Sequence, residues 1–321
     1  MPTEIGVKET TVEEPFVVGI STQALFDCET EPSVLPSVFP LDAPENRAAY
    51  RRANERAPMP PGAAFHLIKR LLGLRTREGA RAVEVVLISR SAPDFALSAF
   101  QSCASHGLAI AAGSFTSGRP VARYAAAWNV DLFLSSAAED VCAASAMGIA
   151  AATLVTRVAA HTAQLSNQVH FALDGDGVVF GLDSDAVYRE HGLDAFERHE
   201  IRHSLTPMAP GPFGIGFLRK LVRLRDRSVA ADGMSGVRIS LITARIAPAH
   251  ERAIRTLQHW NVGIDEAHFV GHRSKTPFLA LSAVDVFLDD VAANVASAAP
   301  FVTSALVPHR RYWSGFGAAA E

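Results

Sequence analysis

Val169-His170-Phe171-Ala172-Leu173-Asp174-Gly175-Asp176-Gly177-Val178-Val179-Phe180 is an apolar run that ends in two aspartates one residue apart. Read as a buried parallel strand, it delivers Asp-x-Asp at its carboxyl end, where open α/β sheets bind ligands. Read as a hairpin, the same Asp-Gly text is a turn between two strands. Three later segments favour the first reading. Val237-Arg238-Ile239-Ser240-Leu241-Ile242-Thr243-Ala244-Arg245 is a second apolar strand ending in a hydroxyl. Lys275 stands at a helix start, and Val284-Asp285-Val286-Phe287-Leu288-Asp289-Asp290 is a third strand ending in paired carboxylates.

Outward from these strands the pattern repeats. Apolar runs at 16–20, 83–88 and 130–134 alternate with amphipathic segments, and the rhythm returns at 168–173, 237–242 and 284–288. Such alternation predicts an α/β fold of parallel sheets flanked by helices. The two series are in register: Ser89 and Thr243, Asp131 and Asp285, and Phe115 and Phe269 are each 154 residues apart, and Ser21 and Asp174 are 153 apart. That regularity predicts an internal duplication.

The two halves differ in chemistry. Ser21 and Gln23 stand where the second half has Asp174 and Asp176, and Ser135 and Ser136 stand where it has Asp289 and Asp290. A hard divalent cation needs anionic oxygen ligands, which serines do not supply. The expected organisation is a degenerate half over 15–160, a catalytic half over 165–308 and a tail over 309–321. The first half is structural or serves substrate binding through Ser89, Arg90, Thr116, Ser117 and Arg119; Tyr312, Trp313 and Phe316 in the tail suit docking on its own domain. An insertion over about 181–236 carries helical candidates at 188–200 and 216–225 around Pro207-Met208-Ala209-Pro210-Gly211-Pro212. The first half has a matching Pro58-Met59-Pro60-Pro61-Gly62 and a helix-like 64–74. An insertion at this point overhangs the ligand crevice and reads as a lid.

Composition narrows the partners. The chain has 321 residues, 49% of them apolar and 20% charged, enough for one large core or two ordinary ones. The formal net charge of −3, without a basic block, argues against a nucleic acid polymer as partner. No stretch approaches the roughly 20 apolar residues of a membrane span, and the polar, acidic Met1 to Glu14 is unlike a signal peptide. A cytoplasmic protein with no membrane contact is expected. Cys28, Cys103 and Cys142 form no C-x-x-C pair and read as reduced bystanders, with Cys28 near the cleft. The scattered histidines are not read as a zinc site.

The order Asp-x-Asp, Thr, Lys, Asp-Asp resembles the four-motif signature of the haloacid dehalogenase-like (HAD) superfamily, mostly Mg2+-dependent phosphatases. Ile20-Ser21-Thr22-Gln23-Ala24-Leu25-Phe26-Asp27, Val85-Val86-Leu87-Ile88-Ser89-Arg90-Ser91-Ala92-Pro93-Asp94, Asn129-Val130-Asp131-Leu132-Phe133-Leu134 and Ala247-Pro248-Ala249-His250-Glu251-Arg252 extend the likeness. They are similar to text of the cytosolic 5′-nucleotidase type I family. The resemblance implies a HAD-like Rossmannoid fold and hydrolysis of nucleoside 5′-monophosphates with Mg2+ through an aspartyl phosphate. It makes Asp174 the nucleophile and Asp176 the general acid, whose backbone carbonyl also ligates the metal. Thr243, with the amides of Ala244 and Arg245, meets the phosphoryl oxygens. Lys275 neutralises the nucleophile and the transferring group, and Asp289 and Asp290 complete the metal site.

Each residue also has a plainer reading. A strand-end threonine is ordinarily a helix cap, most lysines are solvated, and Arg245 suits a surface ion pair as well as a reach to the phosphate or the lid. Successive strand residues face opposite sides, so one of Asp289 and Asp290 ligates directly unless the chain has left the strand. A phosphatase for another small phosphomonoester, such as a sugar phosphate, and a non-catalytic nucleotide-binding protein are the alternative functions. The family resemblance further implies a homo-oligomer.

Overall fold

The computed structural model describes residues 14–27, 58–155, 167–230 and 233–308. In the first half, β1 (Phe16–Ile20), β3 (Val83–Ser89), β4 (Ala112–Phe115), β5 (Leu132–Ser135) and β6 (Ala150–Leu154) lie in the order β6-β5-β1-β3-β4, all parallel. In the second, β7 (Val169–Leu173), β9 (Val237–Thr243), β10 (Glu266–Phe269), β11 (Val286–Asp289) and β12 (Thr303–Leu306) repeat that arrangement as β12-β11-β7-β9-β10, again all parallel. The α/β architecture expected from the alternating text is what the chain adopts. No described helix is long and apolar enough to cross a membrane.

The two five-stranded units join through β6 and β12, which pair antiparallel, making one ten-stranded sheet. Leu306 pairs with Thr153, its own counterpart at the same spacing of 153 that separates Phe16 from Val169. The seam is therefore a local two-fold, and the strands of the halves run in opposite directions. The carboxyl ends of β7, β9 and β11 open at one edge of the sheet and those of β1, β3 and β5 at the other.

Helices cover both faces, so the central strands are buried on both sides and read as unbroken apolar runs; every residue of β7 is buried. Alternate residues divide the core. Val18, Ile20, Phe171, Leu173, Ile239 and Leu241 belong to one cluster that runs across the seam, whereas Val86, Ile88 and Phe133 on the opposite face form a separate cluster from Ala172, Ile242 and Phe287. The shared face is closed by α2 (Phe65–Gly73) and α7 (Ile215–Arg227), whose buried positions recur at helical spacing: Leu67, Ile68, Leu71 and Leu72 in one, Phe217, Leu218, Leu221 and Leu224 in the other.

Each of these helices leans across the seam. α2 packs on β3 and on β7, and α7 on β9 and on β1. Arg70 of α2 pairs with Asp285 of the second half; Lys220 of α7 pairs with Asp131 of the first. Beyond the helices, β2 (Arg75–Thr76) and β8 (Ser228–Val229) form a small antiparallel ribbon between the halves. Cys103 is buried, which pushes its thiol up to about 12, and is not a reactive group. Cys28 and the aromatic tail from residue 309 lie outside the described residues.

Candidate active site

The carboxyl ends of β7, β9 and β11 surround a cavity of about 450 Å³, of the size that holds a small ligand. Its described lining runs from Asp174 to Asn294 and so comes wholly from the second half. Ser89, Arg90, Thr116, Ser117 and Arg119 do not reach it.

Asp174 follows the last residue of β7. Its Oδ1 accepts hydrogen bonds from the Gly175 amide and from Lys275 Nζ, both at 2.6 Å; among the described residues Oδ2 accepts none. Lys275, the residue before α9 (Thr276–Leu281), also donates to Asp289 Oδ2 at 2.7 Å. It is 7% exposed, far from the solvated lysine of the plainer reading. Asp289 is the last residue of β11 and is fully buried; the Val291 amide and the Asn294 side chain also donate to it. Asp290 has already left the strand, which frees it from strand alternation. Carboxylate oxygens of Asp174, Asp289 and Asp290 consequently all lie within 4.8 Å of one another.

One ammonium group does not balance three carboxylates. Burial pushes Asp174 up to about 8, with Lys275 opposing and Asp289 and Asp176 adding to the rise. Burial, then Asp289, pushes Asp290 up to about 7. A cluster of hard oxygens whose charge the protein leaves uncompensated fits a small divalent cation. Gly177 makes the close packing possible: its φ is +82°, and a Cβ there would meet Asp290 Oδ2 at 2.3 Å.

Thr243 ends β9, is buried, and accepts the Arg245 amide on Oγ1 at 3.2 Å. Asp176 does not turn into the acidic cluster. Its two oxygens are forked by Arg245, Nε to Oδ2 and Nη2 to Oδ1, each at 2.8 Å. Arg245 is 3% exposed, so the surface ion pair is not what forms. The far end of its guanidinium turns away from Asp176, and Nη1 donates to Glu200. Glu200 lies on α6 (Asp183–Arg202), whose Tyr188, Leu193 and Phe196 line the cavity together with Leu182 just before it.

Glu200 is the functional candidate absent from the strand-end motifs. Its local text, His199-Glu200-Ile201-Arg202-His203, has the spacing of a zinc-binding His-Glu-x-x-His helix, which the expectation of scattered histidines overlooks. The side chains do not make that site. Glu200 turns to Arg245 and Arg252, His203 Nδ1 contacts its own helix carbonyl at 2.8 Å, and the Arg252 guanidinium lies 3.4 Å from His199 Nε2.

A family model described as 5′-nucleotidase matches residues 8–313. The human protein named Cytosolic 5′-nucleotidase 1B is 29% identical over 284 residues, 86% of this chain and 46% of that one; the chain spans about half the length of the curated relative it matches. A solved chain titled "Structure of Pnkp1/Rnl/Hen1 complex" is 10% identical over 92% of this chain and 88% of that one, with a TM-score of 0.27, too faint a likeness to bear on the fold.

Proposed function

The chain belongs to the 5′-nucleotidase family, and from that premise we propose that it hydrolyses nucleoside 5′-monophosphates with Mg2+, through an aspartyl phosphate on Asp174. The observation that carries this reading is the convergence of Asp174, Asp289, Asp290 and Lys275 on one wall of the cavity. The carboxylates of Asp174, Asp289 and Asp290, with the Asp176 backbone carbonyl, would hold Mg2+, which would supply the positive charge that lets a carboxylate approach a phosphate dianion.

Asp174 attacks phosphorus through Oδ2. The bond from phosphorus to the ribose 5′ oxygen breaks, and Asp176 gives its proton to that oxygen. A water then passes a proton to Asp176 and attacks the same phosphorus; the bond to Asp174 breaks, orthophosphate leaves, and both carboxyls return to their starting state. Lys275 fixes Asp174 through Oδ1 and offsets charge on the phosphoryl group. The Thr243 hydroxyl and the amides of Ala244 and Arg245 offer donors to its oxygens.

On this reading residues 165–308 are the catalytic unit, with a lid over about 181–236, and residues 15–160 are its scaffold. The cavity lining supports that division. Leu182, Tyr188, Leu193 and Phe196 give the lid an apolar, partly aromatic face, which favours a substrate carrying a flat base over a bare sugar phosphate.

The test is phosphate release from nucleoside 5′-monophosphates, 3′-monophosphates and sugar phosphates, with Mg2+ or EDTA. Release is expected from the 5′-monophosphates alone, dependent on Mg2+ and reduced about 1,000-fold or more in Asp174→Asn. A preference for sugar phosphates, or steady turnover by Asp174→Asn, contradicts the reading.

A further inference from the structure

Asp176 is linked to α6 by an unbroken chain of side-chain hydrogen bonds through Arg245 to Glu200, the last two of these residues buried. Every nitrogen of the Arg245 guanidinium is committed: Nε and Nη2 to the two oxygens of Asp176, Nη1 to Glu200 and, at 3.3 Å, to the Ala249 carbonyl. The Phe196 ring lies 5.5 Å from its Cζ. A planar fork held at all its nitrogens cannot swivel without breaking bonds.

Glu200 is clamped in turn. Its other oxygen accepts Arg252 Nη1 at 3.0 Å, and Arg252 also donates to the Thr206 carbonyl at 2.9 Å and to Ser184 Oγ at 3.3 Å. Glu200 and Ser184, 1% exposed each, are the buried residues of α6 and sit near its two ends. A buried ion pair is weak evidence for stability, since apolar residues of similar volume usually do as well. What this one adds is direction: one carboxylate on the lid sets the plane of a guanidinium, and that guanidinium sets the plane of a carboxyl at the reaction centre.

We propose that Glu200 is a positioning residue for Asp176: its carboxylate orients Arg245, and Arg245 so oriented aims Asp176 at the oxygen that leaves. The inference rests on the reading of Asp176 as the proton donor. It follows that Glu200 matters to the reaction in proportion to how much the leaving group needs a proton.

The experiment compares a nucleoside 5′-monophosphate with its analogue bearing sulfur in place of the bridging 5′ oxygen. The thiolate leaves without protonation, while base, sugar and phosphate contacts stay the same. For Glu200→Gln, kcat/KM on the oxygen substrate is expected to fall about tenfold or more, a part of the 100- to 10,000-fold that a general acid supplies. On the sulfur analogue it should stay within about twofold of the parent. Asp176→Asn, run beside it, should show the same selectivity more strongly. If Asp176→Asn is selective and Glu200→Gln lowers both substrates equally, or neither, the positioning role is wrong and the acid assignment stands. If Asp176→Asn lowers both equally, the acid assignment fails and the proposal falls with it. Thermal melting monitors folding; should Glu200→Gln not fold, Arg245→Lys, which keeps the charge but cannot fork Asp176, carries the same comparison with the same expected selectivity.

Discussion

The two neighbouring aspartates at the end of β11 do different work. Asp289 is enclosed and tied to Lys275, Asn294 and a backbone amide, whereas Asp290 lines the cavity. Asp290→Asn is expected to weaken Mg2+ binding at least tenfold, read by calorimetric titration, with little change in metal-free melting. Asp289→Asn should lower the melting temperature of the metal-free protein as well, because it leaves a buried ammonium with one carboxylate fewer, a change that costs on the order of 3 kcal/mol. Equal melting temperatures of the two metal-free variants would remove the distinction. Sequence order alone located Asp174, Thr243, Lys275 and the Asp289-Asp290 pair, since each closes an apolar strand or opens a helix. Glu200 was not legible in that way. Its partner Arg245 is 45 residues distant, and their contact exists only once α6 has folded onto the end of β9.

Among the elements, α6 departs most from what its text predicts. Helical spacing indicates 188–200; the helix runs from Asp183 to Arg202 and bends at Gly192, where φ is +78° and ψ −176°. That combination is open in practice only to glycine. The bend turns Tyr188 and Leu193 onto the cavity while Ser184 and Glu200 stay anchored at either end. Gly192→Ala should cost about 1–3 kcal/mol of lid stability, seen as faster amide hydrogen exchange across 183–202 and a raised KM for the nucleotide. Unchanged exchange and KM would show that the bend is not needed. The strands divide by composition. β1, β3, β5, β7, β9 and β11 are legible because they carry runs of large apolar residues. β6 (AAATL) and β12 (TSAL) hold the seam with small or hydroxyl side chains that give no hydrophobic signal, and β4 and β10 are half-buried edge strands.

For the molecule as a whole, the halves are interleaved. They share one apolar cluster, the β6–β12 pairing, the β2–β8 ribbon and two reciprocal ion pairs, Arg70 with Asp285 and Lys220 with Asp131. Residues 165–308 expressed alone would expose the β12 edge, uncover Phe171 and deprive Asp285 of its arginine. Circular dichroism should show no cooperative melt for that fragment, against a single transition for the full chain. A sharp transition in the fragment would mean that the first half is dispensable for folding.

The opposed directions of the strands explain how one half can lack carboxylates where the other keeps every one. Five strand intervals, roughly 24 Å at about 4.8 Å each, separate β1 from β7, and their ends face opposite edges of the sheet. Over that distance two unit charges interact by only about 0.7 kcal/mol at an effective dielectric of about 20. Exchanging a serine at position 21 or 135 for a carboxylate would thus shift Asp174 by less than about one pKa unit: the crevice that holds them can change its charge at little cost to the other.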